Sequence, residues 1–369
     1  MGARCGVQRG SALIIALWTI SLLSILVMSF ALDATIEGRI STYVRQRRRV
    51  DYLTQSGIAI AEMLLEKRNS VSSTSLADEN EDRWKAPALR LKRGQSAVID
   101  ETIEDGVVHV EIIPEEARWN INLLVGSKYD EVWEQIFTNA GIPQEYFSRL
   151  IECWHDWVDE DSIPGRDGAE DDYYATLDPP YKARNRQIDT VDELLLIKNF
   201  NNAILNGGIL NPEEESKELQ IHVKGIKELF TTYGDGKINV NSAPMEVLMT
   251  VPKIDEITAG AIIEEREGLN AGLSTLGRSS LGRSAVTTRR SSGGAAVGEE
   301  EEDYSFKSPG DFMSRIPGLE TDVSQYVDTQ AKTFRLVIEG RAAGVTHKIQ
   351  AIAEFDGKTV RYLQWREDP

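Results

Sequence analysis

Little in these 369 residues offers catalytic chemistry. There are four histidines (His109, His155, His222 and His347) and two cysteines (Cys5 and Cys153). None of the histidines stands in an H-x-x-x-H or H-E-x-x-H spacing, and G-x-S-x-G, G-x-x-x-x-G-K and C-x-x-C are all missing. His109 and His347 fall in strand-like sequence, where a structural histidine is expected. Cys153 and His155 are two apart, a spacing that aims them at different faces of a helix. The chain therefore reads as a protein that is not an enzyme. Positive charge is also scarce: 41 Lys and Arg stand against 59 carboxylates, a net charge of -18. Such a field repels nucleic acid and favours neutral, cationic or metal-ion partners. Cys5 lies ahead of the first apolar run, so a mature chain without that leader keeps Cys153 alone and has no internal disulfide.

Proline is missing too, until Pro87. A helix can run uninterrupted over that stretch. It follows a short basic leader, residues 1–10, and opens with about 22 uncharged residues from Ser11 to Leu32. At about 1.5 Å per residue these cross a hydrocarbon core of roughly 30 Å. A secretory signal has its small-residue cleavage site after the apolar region. Here the small residue with basic flanks, Gly10, stands in front of it. Cleavage there would leave the helix in the mature protein. Beyond Asp33 the apolar residues Ile36, Ile40, Tyr43, Val44, Leu53, Ile58, Ala61 and Leu64 recur at three-to-four spacing. One helix of roughly 80 Å is predicted over 11–67, apolar all round and then amphipathic.

Residues 69–82 read as a loop. Strands are predicted over 96–100 and 106–113, with a turn at Glu104-Asp105-Gly106, and over 333–339, 346–354 and 358–365 at the other end. Strands at both ends suggest one antiparallel sheet, interrupted over about 115–330 by a largely helical insertion. Within it, Arg118-Trp-Asn-Ile-Asn122 and Lys237-Ile-Asn-Val-Asn241 each open a helix–turn–helix unit, the first over 132–138 and 143–157, the second over 244–250 and 255–266. The asparagines are expected to be helix-start signals and little more. Residues 269–303, rich in Gly, Ser, Thr and Arg before an acidic run, read as a disordered loop of the second unit. Order is expected to resume over 306–313.

The strongest acidic cluster is Trp157-Val-Asp-Glu-Asp161 followed by Gly168-Ala-Glu-Asp-Asp-Tyr-Tyr174. Asp159, Asp161, Glu170, Asp171 and Asp172 are candidate ligands for a hard ion such as calcium, which takes six to eight oxygens. A solvated acidic loop, or carboxylates capping neighbouring helices, accounts for the same spacing. The stretch Ile238-Asn-Val-Asn-Ser-Ala-Pro-Met-Glu-Val-Leu248, with Val251-Pro252 and Ala259-Gly-Ala-Ile-Ile-Glu-Glu-Arg266, looks like the helix-hairpin-helix of competence DNA receptors. A membrane-anchored DNA-uptake receptor is thus the alternative function. However, Lys253 and Asp255 replace the hairpin glycines that would expose phosphate-binding N–H groups, and acids outnumber bases here. No nucleic-acid partner is expected.

Taken together, the leader, the helix, both Asn-x-Asn units and the run from Asp156-Trp-Val-Asp-Glu-Asp161 through Pro179-Pro-Tyr181, Asn185 and Val191-Asp-Glu-Leu194 resemble one family, the type II secretion system minor pseudopilin K. That resemblance implies an α+β fold: a leader over 1–10, a transmembrane pilin helix over 11–67, and a pilin-like antiparallel-sheet head over 68–114 and 331–369. The inserted α-helical domain would span 115–330, with helix-hairpin-helix or SAM-like units at 118–200 and 237–330. It further implies cleavage by prepilin peptidase between Gly10 and Ser11, N-methylation of Ser11, calcium in the acidic region, and a single pass through the cell inner membrane with the C-terminal domain in the periplasm. The implied partners are minor pseudopilins I and J and other pseudopilus components. The implied role is to cap the pseudopilus tip and initiate assembly for export across the outer membrane. Most pilins carry Glu at the fifth mature position; here it is Ile15, as suits a tip subunit with no neighbour above to pair that charge. One signal runs against this orientation. Arg39, Arg45, Arg47, Arg48 and Arg49 follow the apolar run and outnumber Arg4 and Arg9 before it.

Overall fold

The computed structural model describes residues 11–71, 82–211, 220–269 and 303–368. The leader, most of the 69–82 stretch and nearly all of 269–303 lie outside them. Helix α1, Ser11–Ser70, runs unbroken through the predicted span and three residues past it. Its first half touches nothing, with Leu13 to Leu32 on every side exposed to surroundings that in a cell would be lipid. From Val50 the period changes the outcome. Val50, Leu53, Thr54, Gly57, Ala61, Leu64 and Leu65 share one face, and all are buried.

That face lies on a five-stranded sheet. Strands β1 (Ala97–Ile103), β2 (Gly106–Pro114), β3 (Thr333–Ala342), β4 (Val345–Phe355) and β5 (Val360–Asp368) pair antiparallel in chain order. Alternation decides the packing: Val108, Val110, Ile112, Leu336 and Ile338 turn inward and are fully buried. The turn expected at Glu104-Asp105-Gly106 joins β1 to β2, with Glu104 at positive φ, and Ala343 and Gly344 both take positive φ between β3 and β4. Two glycines let helix and sheet come close. A Cβ on Gly57 would lie 2.5 Å from Ile338, and one on Gly340 would lie 2.9 Å from the Val50 carbonyl oxygen. Gly340→Val should therefore lower stability by about 3 kcal/mol, because backbone must move to admit it. Thermal unfolding of the detergent-solubilised chain checks this, and an unchanged melting temperature refutes it.

One helix was not predicted. α2, Asp82–Lys92, contains Pro87 as its sixth residue, where the missing N–H leaves the Arg83 carbonyl without its helical donor. Its Arg90 donates to the Ser96 carbonyl and its Arg83 pairs with Glu101, so it covers the β1 edge.

Between β2 and β3 the chain leaves the sheet for residues 115–332, which carry a second, separate hydrophobic core. Its helices are α3 (Asp130–Ala140), α4 (Phe147–Val158), α5 (Asp171–Tyr174), α6 (Asn202–Asn206), α7 (Met245–Leu248), α8 (Glu256–Arg266) and α9 (Pro309–Arg315). The exit and the return are fastened together by two buried carboxylates. Glu115 accepts from Arg335 (2.6 Å) and from the Thr231 hydroxyl, while one oxygen of Glu116 accepts from the backbone N–H groups of Lys332 and Thr333. Burial raises the Glu116 carboxyl above its ordinary range, against those two hydrogen bonds.

The Asn-x-Asn asparagines do more than start helices, which corrects the sequence reading. In each unit the first asparagine's oxygen accepts from the second's N–H: Asn120 from Asn122, Asn239 from Asn241. The second then grips a distant backbone at both ends. Asn122 exchanges hydrogen bonds with both backbone groups of Ile188, and Asn241 does the same with Phe306. Each unit also closes with a two-residue parallel bridge, Trp119–Asn120 on Phe230–Thr231 and Ile238–Asn239 on Val327–Asp328. The weak repeat is a real structural duplication.

Candidate metal centre

The acidic stretch begins where α4 ends. Trp154 and Trp157 anchor that helix in the insertion core, with Trp157 edge-on to Tyr174 at 5.0 Å. Asp159 is its C-terminal cap in an extended conformation, and this turns the following residues out of the helix. Buried Asp156 then holds the loop, with both carboxylate oxygens 3.1 Å from the Gly165 nitrogen. Gly168 fits against it because a side chain cannot: a Cβ there would fall 1.9 Å from Asp156 Oδ2. The loop thus returns Glu170 to the helix end.

Asp159, Asp161 and Glu170 each bring an oxygen to within 4.8 Å of the other two. Calcium binds oxygens at 2.3–2.6 Å, so ligands on opposite sides of one ion lie about 5 Å apart. The spacing suits it. A second observation separates this group from an ordinary solvated cluster. Glu170 is 4% exposed, and neither of its oxygens has a hydrogen-bond partner; one oxygen of Asp159 is likewise buried and unpartnered. Desolvation, and then the charges of Asp156, Asp159 and Asp161, push the Glu170 carboxyl up to about 7. Desolvation and the same neighbours raise Asp159. Anions in this state are short of a cation.

Two of the five candidate ligands are elsewhere. Asp171 accepts from the Ala183 N–H at 2.8 Å and faces Lys182, while Asp172 sits exposed on the first turn of α5. They begin a helix whose N-terminus favours negative charge, so capping is the reading that fits them. Conversely, Asn185 belongs with the cluster and was not among the candidates. Its φ is 46°, its side-chain amide donates to the Asp161 carbonyl, and its own oxygen is buried without a partner. Nothing in local spacing singles it out, because it follows Glu170 by 15 positions in sequence.

The second unit's hairpin has the shape of a helix-hairpin-helix but not its phosphate site. Lys253 takes the left-handed φ of 69° that a glycine would hold, and it reaches back to Glu131. The α8 N-terminus is already capped by the Asp255 carboxylate, which accepts from Thr258. An anion would meet a carboxylate where the DNA-binding form offers free N–H groups.

A helix long and apolar enough to cross a membrane, continuing into a helix-on-sheet head, defines a pilin-like fold. Comparison with known proteins takes the identification further. Residues 117–207 match the first-domain model of type II secretion system protein K. Type II secretion system protein K of Pseudomonas aeruginosa is 26% identical over 268 residues, covering 70% of this chain and 72% of that one. That of Klebsiella pneumoniae is 25% identical over 213 residues, covering 53% and 60%. A chain in the solved GspK-GspI-GspJ complex of enterotoxigenic Escherichia coli shares the fold, with a TM-score of 0.54 at 12% identity over 88% of this chain and 99% of that one. The chain is thus similar to type II secretion system protein K in sequence, over 117–207 and in its relatives, and in fold.

Proposed function

We propose that this protein ends the type II secretion pseudopilus at its tip and starts its assembly, in complex with minor pseudopilins I and J. The observation that carries this is the fifth residue of α1. Ile15 is apolar and 62% exposed on the half of α1 that touches nothing else in its own chain. A carboxylate at that depth costs about 2.5–3.5 kcal/mol unless a neighbouring subunit pairs with it. A subunit with none above has no such partner, and an apolar residue removes the cost. The large insertion between β2 and β3 suits an end position as well, since bulk there need not repeat along a fibre. In this reading prepilin peptidase cuts between Gly10 and Ser11, Ser11 is N-methylated, and the head stands in the periplasm above the inner membrane.

The metal belongs to the same reading. Asp159, Asp161 and Glu170 would hold calcium, with the unpartnered Asn185 oxygen beside them. The ion would neutralise the cluster and tie the end of α4 to the returning loop, with a structural effect and no catalytic step. The GspK-GspI-GspJ complex supplies the test of the assembly role. Mixed with minor pseudopilins I and J of its own system in detergent, the full chain should elute with both on size exclusion. Separate elution of all three at micromolar concentration would remove the tip role.

A further inference from the structure

The arginines that follow the membrane run have an uneven pattern of partners. Arg47 pairs with Asp51 at 3.3 Å, and Arg49 reaches Glu104 and Asp105 on the β1–β2 hairpin. Arg45 and Arg48 are exposed and make no ion pair or side-chain hydrogen bond among the described residues. With Ser41 and Tyr52 they form one row at four- and three-residue spacing on α1. Val44 (42% exposed) and Tyr52 (69%) add apolar surface, and Glu104 on the hairpin borders the row, which lines an open groove of about 550 Å³.

Distance decides what such a groove meets. Arg45 and Arg48 lie 13 and 16 residues beyond Leu32, the last residue of the uncharged run, about 20 and 24 Å along the helix. The headgroup layer adds only about 5–8 Å outside the hydrocarbon. The remaining gap exceeds the length of an arginine side chain, and a tilt of about 20° hardly shortens it. Lipid phosphates are thus out of reach of both, although Arg39, seven residues past Leu32, stands among them. Exposed arginine and tyrosine around an apolar centre are the composition of protein interfaces. The excess positive charge on the far side of the membrane, contrary to topology preference, then has a use.

We propose that the Ser41–Arg45–Arg48–Tyr52 groove docks an acidic α-helix of a neighbouring pilin-type subunit, whose carboxylates at three- or four-residue spacing pair with Arg45 and Arg48. The groove reads which helix lies beside α1 and at what height. This rests on the assembly role proposed above, and the experiment keeps the two separable. Full-length chain, wild type and Arg45→Glu/Arg48→Glu, is titrated with full-length minor pseudopilins I and J in neutral detergent at low and high salt. Wild-type association should weaken as salt rises, and the double variant should bind at least about tenfold more weakly at low salt. Arg45→Lys/Arg48→Lys should retain most of the binding. Association that is insensitive to both the charge reversal and salt overturns the groove while leaving the tip role standing. No association of the wild type overturns the tip role, and the groove with it. If the reversal instead lowers only the binding of the chain to phosphatidylglycerol vesicles, the surface is a lipid contact and the proposal is wrong.

Discussion

Stripping calcium from the protein at pH 8 should lower its melting temperature by roughly 5–10 °C, and the Glu170→Gln variant should lose that response. The expectation follows from the unpartnered oxygens of Glu170 and its carboxyl pushed up to about 7. Without the ion, an unfolded glutamate near 4.5 releases its proton more readily than the folded one. The ion-free fold is therefore favoured below pH 4.5 and loses that advantage as pH rises through 7, by about 1–3 kcal/mol. Calcium at a hundredfold excess over its dissociation constant returns about 2.7 kcal/mol. At about 2–4 °C per kcal/mol for a chain of this class, that gives the stated shift. Protons compete with the ion, so the calcium-induced shift should be smaller at pH 5.5 than at pH 8. Glu170→Gln removes the buried charge, so at pH 8 the ion-free variant should melt above the ion-free wild type. Scanning calorimetry with and without chelator measures all of this. A wild-type transition that chelator leaves unmoved at pH 8 would remove calcium from the site.

Asn241→Leu should be the most damaging single polar substitution in the insertion, at about 4 kcal/mol. Asn241 is 2% exposed, and its side chain serves the N–H and carbonyl of Phe306 and the carbonyl of Thr329. Leucine fills the space but leaves three buried backbone groups without partners, each worth about 1–3 kcal/mol. Asn122→Leu removes the corresponding grip on Ile188 in the first unit, yet Asn122 is only partly buried and water can replace it. Its cost should be about 2 kcal/mol. Urea midpoints of the two variants rank them, and equal midpoints would show that the two clamps are not graded by burial. Hydrogen exchange at the Phe306 amide gives an independent reading, with protection lost in Asn241→Leu and kept in Asn122→Leu.

The sheet and the long helix could be read from the sequence because each depends on a short period. Val108, Val110 and Ile112 alternate, and Val50, Leu53, Ala61 and Leu64 recur at helical spacing; both patterns need only neighbouring residues to be seen. α2 escaped because Pro87, its sixth residue, is a helix-breaking signal that the contacts of Arg83 and Arg90 with the β1 edge override. Asp171 and Asp172 looked like ligands because they adjoin Glu170 in sequence. The start of α5 aims them away from it, and only the fold reveals that start.

The sequence by itself determined that a lipid-length helix opens this protein, that its head is an antiparallel sheet split by an insertion, and that the acids gather around one loop. These follow from local hydrophobic period and charge, which act over a few residues. The tertiary structure decided which acids share an ion-sized space, that Asn185 joins them, and that Asn122 and Asn241 hold chain 66 and 65 residues away. It also separated the paired arginines, Arg47 and Arg49, from Arg45 and Arg48. Those outcomes depend on contacts between segments far apart in the chain, whose burial and geometry exist only once both cores have packed.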